Sequence, residues 1–238
     1  MSSAIFSRTA LLVGEAGLAR LAAARVVVAG VGGVGSYAAE ALARAGVGNL
    51  TLIDSDLVAA SNINRQLHAL SSTVGLPKVA VMAERLQQIN PALVLTLCQT
   101  LITPDNVPEL LSSGYDLVLD AIDSFSAKLA LLQGCVEQQI AVISSMGAAG
   151  KRDPSQVRIA DLSESHGCRL ARKVRKELRR TGISSGVTVV YSAEPCNVER
   201  LGETDSGGDA RRPLGSISYL PATFGLFMAS AAIRTLLE

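Results

Sequence analysis

The stretch VVVAGVGGVGSYAAEALARAG, residues 26–46, decides the fold of this chain. Its first residues form a continuous apolar run, which is typical of a strand buried inside a parallel sheet. The run enters a glycine-rich turn and leaves as a helix predicted over about 34–45. Glycines in a strand–turn–helix setting let the backbone approach a phosphate closely, and the helix N-terminus favours an anion. We therefore predict a nucleotide-binding turn built on Gly30, Gly32, Gly33 and Gly35.

Strands and helices are predicted to alternate after this turn. Helices are expected near 78–89, 104–113 and 126–138, between apolar runs that read NLTLIDSD, LVLTLCQT, YDLVLDAID and IAVISSMG. This alternation predicts an α/β fold with a Rossmann-like, doubly wound, mostly parallel sheet. Two shorter strands, QVRIADL and GVTVVYSAE, are expected to form an antiparallel extension around a basic helix, before a final helix. We predict one domain over residues 1–238, with a nucleotide-binding core at 1–150, an elaboration at 151–238 and a mobile loop at 196–216.

Composition narrows the class of protein. The chain has 238 residues, 48% of them hydrophobic, and a net charge of +1. No basic segment followed by an apolar run opens the sequence, and its four cysteines form no CxxC pair, so we expect a cytoplasmic protein without a structural zinc site. The segment at 219–237 is about one bilayer span long, but it contains Pro221, Gly225 and Arg234. We expect a buried helix packed on the sheet there, with membrane association as the alternative.

Polar residues after the second strand separate ATP from a dinucleotide. Asp54 ends that strand, where a carboxylate would accept the ribose hydroxyls. A dinucleotide is held mainly by backbone amides, whereas ATP also needs neutralisation of its γ-phosphate and of the reacting α-phosphorus, which Arg65 and Lys78 could supply. Asp123, at the predicted end of the fourth strand, would hold Mg²⁺ there, or would only cap a loop. The polar residues of this segment that we assign to the site are Asp56, Asn62, Asn64 and Gln66.

The order of these motifs carries a family resemblance. GxGGxG, DxD, NxNRQ, GxxK and DxxDS follow one another as in the adenylating superfamily of ubiquitin-activating enzymes and the thiamine and molybdopterin adenylyltransferases, which this chain resembles. The resemblance implies ATP and Mg²⁺ as cofactors. It makes Asp54 the ribose ligand, Asn62, Arg65, Gln66 and Lys78 ATP contacts, and Asp123 the magnesium carboxylate. Arg8 is similar to an N-terminal arginine that reaches into the partner subunit's ATP site, which implies a homodimer.

A basic helix is predicted over RLARKVRKELRR, residues 169–180, which contains seven basic residues and one acidic residue. At helical spacing, Leu170, Ala171, Val174 and Leu178 form an apolar stripe that can dock on the body of the protein. The residues expected to project from the other side are Arg169, Arg172, Lys173, Lys176 and Arg180. So dense a stripe fits binding to a phosphate backbone, as tRNA would require. We expect no DNA partner. An ordinary solvated face and weak attraction to a membrane are the alternatives.

Longer stretches narrow the resemblance further. The segments around the glycine-rich turn and NRQLHAL…VGLPKVAVMAERLQQINP resemble the tRNA threonylcarbamoyladenosine dehydratase branch. That branch implies a ligase-type enzyme that uses ATP to cyclise the threonylcarbamoyl group on adenosine 37 of tRNA, through a carboxylate adenylate. RRPLGSISYLPATFG has no cysteine where family members can carry one, which argues against a covalent cysteine intermediate.

Two other functions stay open at this stage. The first is adenylation of the C-terminal glycine of a ubiquitin-like carrier, with a sulfur-relay or cysteine desulfurase partner. The second is a redox or sensor protein that binds NAD.

Overall fold

A computed structural model describes residues 4–195 and 215–238, and nearly all of the predicted mobile loop lies outside them. One mostly parallel sheet forms the centre, with the strand order β3-β2-β1-β4-β5-β7-β6. The strands are β1 Arg25–Ala29, β2 Asn49–Ile53, β3 Val94–Cys98, β4 Leu117–Asp120, β5 Ala141–Ser145, β6 Val157–Asp161 and β7 Thr188–Ser192. The helices are α1 Ser7–Ala23, α2 Gly35–Ala45, α3 Lys78–Ile89, α4 Val107–Leu111, α5 Phe125–Glu137, α6 Arg169–Arg180 and α7 Tyr219–Leu237.

The strand pairing confirms the predicted fold class. Strands β1 to β5 pair in parallel, β7 joins β5 in parallel, and β6 runs antiparallel to β7. Ala29 at the end of β1 lies level with Ile53 of β2 and Asp120 of β4. The residues that follow these three strands therefore meet at one edge of the sheet, its carboxyl edge, where ligands of such folds bind.

The core has two layers, one on each face of the sheet. Alternate residues of β1 divide between them, because successive side chains of a strand point to opposite faces. Val26 and Val28 pack with α2, α3 and α7, whereas Val27 and Ala29 pack with α4, α5 and α6. Helices on both faces explain why the central strands are apolar without alternation.

The final helix, α7, belongs to the first of these layers. Its residues Leu220, Phe224, Met228 and Ala232 are buried against α2 and the sheet, as predicted. By length and composition α7 could also cross a membrane, and half of its most apolar stretch is buried inside the protein.

Two elements differ from expectation. Helix α1 was not predicted, because its sequence lacks a helical apolar stripe and because Gly14 interrupts it with a φ of 73°. Strand β4 ends at Asp120, three residues before the end suggested by the run YDLVLDAID. Asp123 therefore lies in the loop beyond the strand, exposed to solvent, and Asp120 is the carboxylate at the strand end.

Candidate nucleotide site at the carboxyl edge

The glycine-rich turn joins β1 to α2 at the carboxyl edge. Gly30 has a φ of 86°, and a Cβ there would lie 2.8 Å from the carbonyl oxygen of Ala121. A Cβ at Gly35 would lie 1.8 Å from the carbonyl oxygen of Gly30. The first turn of α2 receives no side-chain cap. The Ser36 N–H donates to the Gly32 carbonyl, whereas no side chain caps the other N–H groups of this turn, so they can face an anion.

Asp54, directly after β2, ties the turn to the neighbouring strand. Its Oδ2 accepts the Val31 N–H at 2.7 Å, and its Oδ1 accepts the Asp56 N–H at 2.9 Å. These bonds fix the carboxylate beside the turn. Each carboxylate oxygen has a second lone pair, so Asp54 can still accept a ribose hydroxyl as predicted.

Lys78 brings a buried positive charge to the same place. Its side chain, at the start of α3, is 6% exposed, and Nζ lies 2.7 Å from Asp56 Oδ2 and 3.9 Å from Asp54 Oδ1. Asp56 is itself largely exposed. A polyphosphate arriving here would compete with Asp56 for the Lys78 ammonium, because phosphate oxygens are strong acceptors for charged donors.

Arg65 and Asn64 follow in the segment between β2 and α3. Arg65 Nη1 donates to the Ser61 carbonyl and to Asn64 Oδ1, both at 2.9 Å. In the described part of the chain Arg65 forms no ion pair, so its charge is not neutralised there. The Arg65 Cγ lies 3.3 Å from an idealised Cβ on Gly33, which places the side chain against the glycine-rich turn.

Asn62 differs from its neighbours. It is buried, and its Oδ1 accepts the Ala59 N–H at 3.1 Å, so it caps its own turn of chain. The structure therefore gives Asn62 a local structural contact, and a contact with ATP remains a proposal.

Gln66 and His68 carry buried polar atoms that have no partner in the described residues. The atoms are Gln66 Oε1 and both ring nitrogens of His68, on side chains of residues that are 7% and 2% exposed. Gln66 Nε2 lies 3.7 Å from an idealised Cβ on Gly32, so this residue also faces the turn. Burial, helped by the Lys78 charge, lowers the pKa of His68 to about 4, so the ring is neutral near pH 7. His68 was not among the residues predicted from the sequence.

A second buried group lies under the loop that carries Asp123. Lys128 and Asp120 form an ion pair at 2.5 Å, with both side chains fully buried, and Ser144 donates to the same carboxylate oxygen. This group was missed because a lysine in a helix reads as a surface residue. The signal was its position, since Lys128 shares the buried face of α5 with Leu131, Leu132 and Cys135.

The basic helix α6 has the two faces that its sequence predicts. Ala171, Val174 and Leu178 are buried, and all five projecting cations assigned above are exposed. Arg180 pairs with Glu177 at 2.7 Å, whereas the other four form no ion pair with a described residue. The helix begins beside the carboxyl edge, because Leu170 Cβ lies 3.8 Å from an idealised Cβ on Gly147, just after β5.

Arg8 lies on the exposed side of α1, next to two exposed apolar residues. Leu11 is 82% exposed and Leu12 is 87% exposed.

Two of the described cysteines have raised pKa values, which disfavours the reactive thiolate form. Burial raises the pKa of Cys98, and burial together with the Asp120 charge raises the pKa of Cys135 to about 12. Cys196 lies outside the described residues. Within residues 4–195 and 215–238, no cluster of three metal-binding side chains is present.

A cavity of about 450 Å³ lies at the opposite end of α2 from this site. It is lined by Ile5, Arg44, Arg85, Gln88 and Ile89. The polar side chains of Asp54, Arg65, Gln66 and Lys78 lie instead around the glycine-rich turn.

Comparison with known proteins identifies the family of this chain. The family model described as "ThiF family" matches residues 6–238. The tRNA threonylcarbamoyladenosine dehydratase of Bacillus subtilis is 42% identical over 240 residues, which cover 98% of this chain and 94% of that protein. The Escherichia coli tRNA N6-threonylcarbamoyladenosine dehydratase, solved with ATP, superposes with a TM-score of 0.89 at 40% identity, over 98% of this chain and 93% of that chain. The same E. coli protein has been solved with AMP.

A relative with a different activity matches less of the chain. The molybdopterin-synthase adenylyltransferase of Salmonella typhimurium is 37% identical over 165 residues, which cover 69% of this chain and 65% of that protein. The chain thus belongs to the ThiF family, in its tRNA threonylcarbamoyladenosine dehydratase branch.

Proposed function

We propose that this protein is an ATP-dependent tRNA-modifying enzyme that cyclises the threonylcarbamoyl group on adenosine 37 of tRNA. The observation that carries the proposal is the pair of cations at the glycine-rich turn. Arg65 has no carboxylate partner among the described residues, and Lys78 is buried beside Asp54. Two such charges suit a triphosphate better than a dinucleotide, whose pyrophosphate is held mainly by backbone amides. This also argues against the NAD-binding alternative.

The reaction would proceed in two steps within one site. The carboxylate of the modification attacks the α-phosphorus of ATP, which gives an acyl-adenylate and pyrophosphate. The ureido group of the same side chain then attacks the activated carbonyl, the bond to AMP breaks, and the ring closes with net loss of one water. Lys78 and Arg65 would neutralise charge on the phosphates during the first step. Ring closure is intramolecular, so alignment can supply much of its rate without an enzyme nucleophile.

Asp123 is suited to hold magnesium in this scheme. Its carboxylate is exposed, and among the described residues it forms no hydrogen bond or ion pair. Mg²⁺ commonly binds one or two protein carboxylates together with substrate phosphates and water. When bound, the ion would neutralise charge on the phosphates. The remaining contacts that we propose for ATP are Asp54 with the ribose, and Asn62, Asn64 and Gln66 with the nucleotide.

The direct test supplies purified protein with ATP, Mg²⁺ and tRNA that carries threonylcarbamoyladenosine. We expect AMP and pyrophosphate in equal amounts, and a nucleoside lighter by the mass of one water. An unchanged nucleoside mass at saturating ATP would contradict the proposal. A pyrophosphate-exchange assay with ubiquitin-like carrier proteins tests the competing adenylation activity, which is supported only by the shorter match to the adenylyltransferase. That activity would bring in a sulfur-relay or cysteine desulfurase partner.

The basic helix is our proposed tRNA contact. Arg169, Arg172, Lys173 and Lys176 are exposed and lack carboxylate partners in the described residues, and the helix begins beside the nucleotide site. Changing Arg172, Lys173 and Lys176 to Glu should weaken tRNA binding and leave ATP binding intact. For each cation that no longer meets a phosphate, the slope of log K against log[salt] should fall by roughly 0.7 to 0.9. An unchanged slope would indicate an ordinary solvated face, and failure to bind anionic vesicles with normal tRNA binding would indicate a membrane contact.

We further propose that two copies of the chain assemble so that Arg8 completes the partner's site. The neighbouring side chains of Leu11 and Leu12 support this, because two adjacent leucines so fully exposed form an apolar surface that a second copy would cover. We propose that each copy works as a single adenylation domain in the cytoplasm, where its tRNA substrate is found.

A further inference from the structure

A fully satisfied ion pair lies beneath the loop that carries Asp123. Lys128 Nζ donates to Asp120 Oδ2 at 2.5 Å, to the Ser145 carbonyl at 3.1 Å and to Ser144 Oγ at 3.3 Å. All three donors of the ammonium group are thereby used. The group joins the end of β4, the end of β5 and the first turns of α5.

Stability alone does not account for such a pair. Taking two charges out of water costs much of what their attraction returns, and well-packed apolar residues of similar volume often serve as well or better. Asp120 and Lys128 are both completely buried, on the face of the sheet that carries the apolar residues of α4, α5 and α6. The role of the pair therefore depends on the backbone that it fixes.

What it holds is the turn between β4 and Asp123. Asp120 Oδ1, the oxygen not used by Lys128, accepts the Ile122 N–H at 3.1 Å. One residue earlier, the Ala121 N–H donates to the Ala29 carbonyl at 2.8 Å, and the Ala121 carbonyl lies against Gly30. The backbone is thus fixed on both sides of Ala121, and Asp123 is the next residue after the last fixed group.

We propose that the buried Asp120–Lys128 pair is a positioning device that aims the Asp123 carboxylate at the metal of the bound nucleotide. Because Asp120 and Lys128 are completely buried, they would act through the turn and would not contact the metal or ATP themselves. They set the path of residues 121–123 relative to the glycine-rich turn. The Asp123 carboxylate is thereby already directed towards the place of the phosphates before the nucleotide binds. The inference rests on the proposed role of Asp123 as the magnesium ligand.

Two double variants test this positioning role. Asp120→Leu with Lys128→Met removes the pair and also the bond to Ile122. Asp120→Asn with Lys128→Met removes the charges but retains an oxygen that can accept the Ile122 N–H. The measurement is ATP binding by calorimetry, once with Mg²⁺ and once with EDTA, beside a thermal unfolding curve of each protein.

We expect the Leu/Met variant to lose the Mg²⁺-dependent gain in ATP affinity by roughly tenfold or more, as loss of a residue that orients a metal ligand typically does. Its affinity in EDTA should stay within about twofold of wild type, because the contacts of Arg65 and Lys78 are unaltered. The Asn/Met variant should keep most of the Mg²⁺-dependent gain. Equal gains in the Leu/Met variant and in wild type, or equal losses in both double variants, would overturn the proposal.

Asp123→Ala separates this inference from the assignment on which it rests. If Asp123→Ala keeps the full Mg²⁺-dependent gain, the assignment of Asp123 as metal ligand is wrong, whatever the double variants show. If Asp123→Ala loses the gain and the Leu/Met variant retains it, only the positioning role is wrong. Should the Leu/Met protein not fold, Ala121→Gly loosens the same turn without touching the pair. It should reduce the gain severalfold, and an unchanged gain would overturn the proposal.

Discussion

The buried ring of His68 makes the stability of this protein depend on pH in a predictable way. Both ring nitrogens lack a partner among the described residues, and the residue is 2% exposed. Burial and the Lys78 charge lower its pKa from 6.5 to about 4, so folding disfavours the protonated ring. Between those two values the unfolded chain binds more protons than the folded one. The free energy of unfolding is therefore highest above pH 6.5, and it falls as the pH is lowered from 6.5 towards 4.

The size of this change in the free energy of unfolding follows from the difference between the two pKa values. Since one pKa unit corresponds to 1.36 kcal/mol, protonation of His68 lowers the free energy of unfolding by about 3 kcal/mol in total. Of this, about 2 kcal/mol should be lost on lowering the pH from roughly 7.5 to 5. Urea unfolding of wild type and of His68→Gln at both pH values measures the effect. The variant should lose about 2 kcal/mol less than wild type, because glutamine has no proton to gain.

The chain supplies its own control. His166 is the only other histidine in the sequence, and it is exposed. His166→Gln leaves the ring of His68 in place, so it should retain the loss of stability that His68 causes. If His68→Gln loses as much stability as wild type over this range, the ring is not held neutral by burial and the reasoning fails.

Three further predictions concern the site and its supports. Lys78→Ala should lower kcat/KM by roughly 10²-fold, as loss of one preorganised charge does, and near-normal turnover of modified tRNA would show that ATP binds elsewhere. Gly225→Ala should lower stability by about 1–3 kcal/mol in urea unfolding, because its Cβ would lie 2.4 Å from the carbonyl oxygen of Val34, and unchanged stability would mean that α7 can shift away from α2. Mixing Arg8→Ala with Arg65→Ala should restore activity after subunit exchange if Arg8 completes the partner's site. No recovery in the mixture would contradict that arrangement.

Much of the fold could be predicted, because strands that are buried on both faces of a sheet have continuous apolar sequences. Such a run forms each of the strands β1, β2, β4 and β5, and the glycine-rich turn marks the end of β1. Helix α1 could not be found in the same way, since it is broken at Gly14 and exposes apolar residues on its outer side. The end of β4 was misjudged because the apolar run continues past Asp120 into the loop.

Site residues could be predicted where their position beside a strand or helix indicates their role. They could not be predicted where the role depends on a contact with a residue of another element. Asp54 and Lys78 follow from their places after a strand and before a helix, and the structure brings them within 3.9 Å of each other. Lys128 owes its role to Asp120, on a different element. Likewise His68 lies between Leu67 and Ala69 in a segment without a regular helix or strand pattern, which does not show whether its ring is buried. Pairing across elements and burial within a loop are properties of the packed chain, and local sequence does not encode them.

The contact between α2 and α7 has a consequence for how this protein is made. All seven strands lie between or before these two helices in the chain, yet α7 covers the apolar side of α2. At a synthesis rate of about 5–20 residues per second, α2 and the strands beside it exist for roughly 10–35 s before α7 has been added. During that time the side of α2 that packs on α7 is not yet covered by it. The half of the chain that contains the glycine-rich turn is thus translated first, and the helix that covers it is added last.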